Sequence, residues 1–161
     1  MKSLFCIFFI LFSLSNPTLS EIRKLYPNAS ISENNAAELA SKLASIDIND
    51  DKILLAYKGA SIAIVSKYQK KVGDKIKKFK EGVKLVDLSI TSESNNIELR
   101  LIRLSIQENV PKIVKYNKNI KEDVASILEH YKVQSPDLKE YLKKFILQSK
   151  SFSTQEKQSI K

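Results

Sequence analysis

The chain has 161 residues and carries 27 Lys and Arg against 18 Asp and Glu, a formal net charge of +9. Only 3 Gly and 4 Pro occur, with 28% charged residues, a balance that excludes disordered chains and turn-dense β-rich folds. The single Cys, Cys6, lies in the first 20 residues, which are expected to be removed, and His130 is the single His, so the remaining chain is expected to have no disulfide framework, no Cys/His zinc set and no thiol catalysis.

Met1-Lys2-Ser3 is a short positive start, Leu4 to Leu14 is an apolar run, and Ser15 to Ser20 is polar and helix-breaking. This is the three-part layout of a secretory signal peptide. Thr18 and Ser20 are small, so cleavage is expected after Ser20. That gives a signal peptide over 1–20 and one domain over 21–161. The apolar run of about 11 residues is too short to cross a bilayer core, which needs roughly 20, so no transmembrane segment is expected. Cys6 has Phe5 beside it and too little chain before it for lipidation. The expected localisation is periplasmic or secreted.

Apolar residues then recur at helical spacing almost everywhere. Ala36, Leu39, Leu43 and Ile46 predict a helix over 32–46, with Ser32 as its cap. Leu54, Tyr57, Ser61, Ile64 and Tyr68 predict one over 52–69. Val72, Ile76, Phe79, Val83, Val86 and Ile90 form a continuous seam, predicting a helix over 74–91 with Asp74 as its cap. Further helices are expected over 96–109, 119–132 and 136–149, with shorter turns near 21–27, 111–116 and 154–160. Asn95 with Glu98, Asn119 with Glu122, and Ser153 with Glu156 have capping-box spacing, and Ser135-Pro136 is a cap followed by Pro. Connections are short, which favours antiparallel neighbours. The expected fold is all-α, antiparallel helical hairpins stacked into a small tetratricopeptide-like bundle.

Four groups of residues are candidates for chemistry. Arg100, Arg103 and Gln107 fall within about 60° on one face of a helix that is otherwise apolar nearly all round. They predict either a pocket for an anionic group or internal ion pairs with Glu98, Glu122 or Asp123. Asn109, Pro111, Tyr116, Asn117, Asn119 and Asp123 surround an irregular connection, where they either bind a ligand or cap helix ends. Eight lysines from Lys67 to Lys84 offer a weak contact for an anionic surface, or a solvated helix face. Asp47, Asn49 and Asp51 start like a Ca²⁺ loop, but Lys52 and Lys58 stand where that loop needs Gly and Glu. No nucleophile motif and no Gly-rich phosphate loop occurs, so no catalytic residue, cofactor or metal is assigned. Lys outnumbers Arg by 24 to 3, which argues against nucleic acid, because Arg makes the bidentate phosphate contacts.

Two resemblances add to this reading. Leu55 with Gly59, and Leu85 with Leu88 before the break at Ser92 to Asn96, resemble positions of tetratricopeptide repeats. The spacing from Asp51 to Asn95 is 44 residues, longer than the family's roughly 34. Asn96 to Pro111, Tyr116 to Asp123 and Ala56 to Ala60 resemble small exported proteins of Bacteroidetes-type bacteria. That resemblance implies an exported helical protein and no particular activity. The expected function is therefore a non-enzymatic interaction module that binds a protein or peptide partner. The alternative is a binder of an anionic small molecule or glycan through Arg100 and Arg103.

Overall fold

A computed structural model describes residues 16–160. Among these residues the chain forms eight α-helices and no strand, packed as an all-α bundle. The apolar run Leu4 to Leu14 and Cys6 lie outside the described residues. No helix among those described is long and apolar enough to cross a membrane.

The first helix, α1 (Leu19–Leu25), begins inside the stretch expected to break helices and to be removed. The Thr18 side chain accepts from the Glu21 amide, and Glu21 accepts from the Thr18 amide at 2.9 Å, a complete capping box. Asn16 also reaches the body of the protein, accepting from the Ser45 hydroxyl at 3.2 Å. A tight turn at Tyr26–Asn28, with Pro27 inside it, leads to α2 (Glu33–Lys42), capped by Ser32 as expected.

The acidic turn after α2 serves helix geometry. Asp47 accepts from the Asn49 amide at 2.7 Å, and Asp51 caps α3 (Lys52–Val65) by accepting from Ile53 and Leu54. The ammonium group of Lys58 donates to the carbonyls of Ala44 and Ile46, tying α3 to the chain leaving α2. The single helix expected over 52–69 tightens into a 3-10 turn at Ser66–Tyr68.

Next comes α4 (Val72–Ser92), which starts ahead of the expected Asp74 cap. Lys71 occupies the cap position without a side-chain bond, and Asp74 instead lies in the first turn, where its charge suits the positive end of the helix dipole. α3 and α4 pack backbone against backbone. A Cβ on Gly59 would lie 2.5 Å from the Gly82 carbonyl oxygen, and one on Gly82 would lie 2.7 Å from the Ala63 nitrogen. Only two glycines facing each other allow that approach.

α5 (Ile97–Asn109) is the partition of the bundle. Asn96, not Asn95, caps it, and the Glu98 side chain turns inward instead of closing a capping box. Leu99, Ile102 and Ile106 join a core built by α1 to α4, whereas Ile97, Leu101 and Leu104 join a second core. That second core is completed by α6 (Ile120–His130), α7 (Pro136–Gln148) and by Phe152 and Ile160, which flank α8 (Thr154–Ser159). Asn119 precedes α6 without capping it; its amide donates to Glu122 at 2.9 Å. The Ser135 cap and the Ser153–Glu156 box form as expected.

Candidate functional site

The arginine stripe of α5 meets carboxylates. Asp123 of α6 is fully buried and accepts from Arg103 through Nε at 2.8 Å and Nη2 at 2.6 Å. Arg100 bonds Glu122, approaches Asp123 at 3.3 Å and donates to the Ser94 carbonyl at 3.2 and 3.0 Å. Its hydrogen bond holds the Glu122 carboxyl below the usual carboxylate range. Burial pulls the Arg103 guanidinium down, but its bonds to Asp123 and the charges of Asp123 and Glu122 leave it raised overall. These are internal ion pairs that pin α5 to α6, the one from Arg103 forked onto both Asp123 oxygens. An anion seeking either guanidinium would have to displace Asp123 or Glu122, so the geometry lacks the open, carboxylate-free face that an arginine pocket needs.

The remaining expected residues are separated. Gln107 is buried on the same stripe, and neither its amide oxygen nor its nitrogen has a partner. Asn109 donates to the Ser105 carbonyl at 2.8 Å. Tyr116 packs edge-on against Phe79 at 5.7 Å and donates to Asp87 at 2.8 Å. Burial first, then the Asp87 charge, pushes its hydroxyl well above the ordinary tyrosine value. Asn117 is exposed. Asp123 thus belongs with Arg100 and Arg103, Tyr116 meets the same cluster through Asp87, whose Oδ1 lies 3.9 Å from Arg103 Nη1, and Asn109 bonds back to its own helix. His130 ends α6, its Nδ1 lying 3.0 Å from the Ser126 carbonyl oxygen.

A second buried node escaped the sequence reading. Arg23 of α1 donates through Nε at 2.7 Å and Nη2 at 2.5 Å to the two oxygens of Glu98, which is fully buried on α5. The Tyr57 hydroxyl donates to the same carboxylate at 2.8 Å and lies 3.0 Å from the Tyr141 hydroxyl. A hydroxyl has one proton, so Tyr141 supplies the proton of that second bond. The Arg23 guanidinium lies over the Tyr141 ring at 5.9 Å. Four side chains from α1, α3, α5 and α7 are joined at one point. The hydrogen bond to Glu98 raises the Arg23 pKa, and burial raises those of Tyr57 and Tyr141. The signal was present: all three arginines of a lysine-rich chain pair with carboxylates, and Arg23 and Arg103 do so through two-nitrogen forks, the task for which Lys is a poor substitute.

Beside this node runs a groove of about 1410 Å³. Its walls are α1 and the turn after it, the start of α4, the end of α5 with the turn Lys112–Val114, and the outer face of α7. Phe79, Ile106, Val110, Val114 and Phe145 contribute apolar surface, and Arg23 and Tyr141 line it as well. The expected seam of α4 explains the opening. Phe79, Val83, Val86 and Ile90 are buried, but Val72 and Ile76 at the head of the seam are 71% and 43% exposed. Ile113 across the groove is 87% exposed. The seam runs on past the part of the helix that the bundle covers. Among the described residues no group of three or more His, Cys, Asp or Glu is placed to hold a metal ion.

No protein-family model, no curated protein and no solved structure is similar to this chain.

Proposed function

We propose that the protein is an exported, non-enzymatic helical module that binds a protein or peptide partner in the groove beside α4. One observation carries the reading: the apolar seam of α4 continues as Val72 and Ile76 into a groove that the described residues leave uncovered, opposite Ile113. Large side chains exposed together at a concave site lose surface to water when a partner covers them, at roughly 25 cal/mol per Å². The groove also exceeds the roughly 300–1,000 Å³ typical of small-molecule pockets, which favours a polymer segment.

Export rests on the N-terminal layout. The capping box at Thr18 and the contact of Asn16 with Ser45 favour a cleavage point before Asn16, behind the small residues Ser13 and Ser15, over one after Ser20. Cleavage after Ser20 would delete the cap of α1, a loss of about 0.5–2 kcal/mol. Mass spectrometry of the N-terminus of the processed protein is expected to find Asn16; Glu21 would refute the placement.

The binding reading is tested by selecting displayed peptides on the purified protein and measuring the enriched sequences by titration calorimetry. The double variant Val72→Asp/Ile76→Asp is expected to lose their binding and keep its melting temperature, because both positions face solvent. Enriched peptides that bind the variant as well as the parent, or a library that yields none, would overturn the proposal.

A further inference from the structure

We infer that the occupant of the groove is an acidic amphipathic helix of a partner protein. The inference rests on the groove reading above and adds the chemistry of the partner.

Charge is the first argument. Lys24, Lys67, Lys75, Lys80, Lys144 and Lys150 line the groove, against the acidic residues Glu108, Asp137 and Glu140. Two of those acids are already engaged. Glu108 accepts from the Ser149 hydroxyl and from the Ser151 amide at 3.0 Å, and Glu140 pairs with Lys144 at 3.3 Å. Arg23 is balanced by Glu98 and adds nothing to the excess. Among the described residues no carboxylate lies within ion-pair distance of Lys24, Lys67, Lys75, Lys80 or Lys150. An occupant must therefore bring negative charge to the rim and apolar side chains to the floor. Rim charges of this kind steer encounter and choose between partners more than they add affinity.

Size and shape are the second argument. An α-helix about 10–12 Å across, rising 1.5 Å per residue, fills roughly 120–170 Å³ per residue, so this groove takes about three turns. An amphipathic helix laid into a groove between helices is a recurrent mode of recognition, and no strand edge exists among the described residues for an extended chain to pair with. A second copy of this chain fits poorly. It carries a formal net charge of +9, and two such surfaces repel.

The test uses the purified protein and fluorescently labelled helices of about 18 residues, five turns. One has Leu at i, i+3, i+4 and i+7 with Glu between; a second has Lys in place of Glu; a third keeps the composition of the first with the Leu positions scrambled. Vesicles of phosphatidylglycerol and of phosphatidylcholine form a further arm. The acidic amphipathic helix is expected to bind at least about tenfold more tightly than the other two, and to weaken as salt screens the rim. Lys75→Glu/Lys80→Glu, at positions with no carboxylate partner, is expected to reverse the preference between the acidic and the basic helix while the melting temperature holds. Equal or tighter binding of the basic or the scrambled helix overturns the acidic-helix inference and leaves a peptide groove standing. Binding of phosphatidylglycerol vesicles with no peptide binding overturns both readings in favour of a lipid surface. Binding of none of the probes overturns the inference, and the peptide selection then decides the groove.

Discussion

Arg103 and Asp123 hold each other by two hydrogen bonds where water scarcely reaches, so removing Arg103 leaves the buried Asp123 with only the longer contact to Arg100. Arg103→Ala is expected to cost about 3–5 kcal/mol in urea unfolding, the usual cost of breaking a buried pair. Arg103→Met/Asp123→Leu is expected to regain part of that loss, since an apolar pair leaves no buried charge. Recovery should be incomplete, because Arg100 also uses Asp123. Tyrosines set the alkaline limit. Burial pushes Tyr26 up to about 12 from an ordinary 10, and raises Tyr57, Tyr116 and Tyr141 as well. Raised folded-state values mean that the native protein binds more protons than the unfolded chain above pH 10. The stability linked to these groups is complete below that point and is lost as pH rises through the raised values. Urea midpoints are expected to fall above pH 10, with tyrosinate absorbance appearing as the protein unfolds. The sequence exposed the Arg100–Arg103 stripe and its carboxylate partners, because helical spacing alone puts them on one face. It offered Glu98 as a cap or as a partner of Arg100 and Arg103, and missed its actual partner, Arg23, because that residue stands on a different helix far off in sequence.

Between elements, two glycines do opposite work. Gly82→Ala must push α3 from α4, because the added carbon meets backbone that cannot rotate away. A loss of about 1–3 kcal/mol is expected from overpacking. Gly73→Ala meets nothing within 4 Å in the first turn of α4 and is expected to be neutral or to stabilise by up to about 1 kcal/mol. Thermal melts of the two variants side by side check both. Helix identity was legible for α2 to α7 because apolar spacing near 3.6 needs only the chain itself. Helix starts were less so. Asn96 took the place of Asn95 and Lys71 that of Asp74, since capping depends on the path of the preceding chain. α1 was read only as a short turn, since its burial depends on partners in α3 and α5.

At the scale of the molecule, α5 divides two apolar cores, and the groove lies where the walls around its C-terminal end do not close. The seam from Val72 to Ile90 was legible as one stripe, but periodicity cannot say how much of a stripe its neighbours cover. The groove was therefore present in the sequence as excess apolar surface without an address. The bond from Arg23 to Glu98 also sets an order of events. Its partners stand 75 residues apart, and a ribosome adds about 5–20 residues each second, so α1 waits roughly 4–15 s for its anchor to be made. Through that interval the N-terminal helix has no buried carboxylate to close on. α1 can pack on α2 and α3 before then, but its Arg23 anchor to Glu98 forms only once α5 is made.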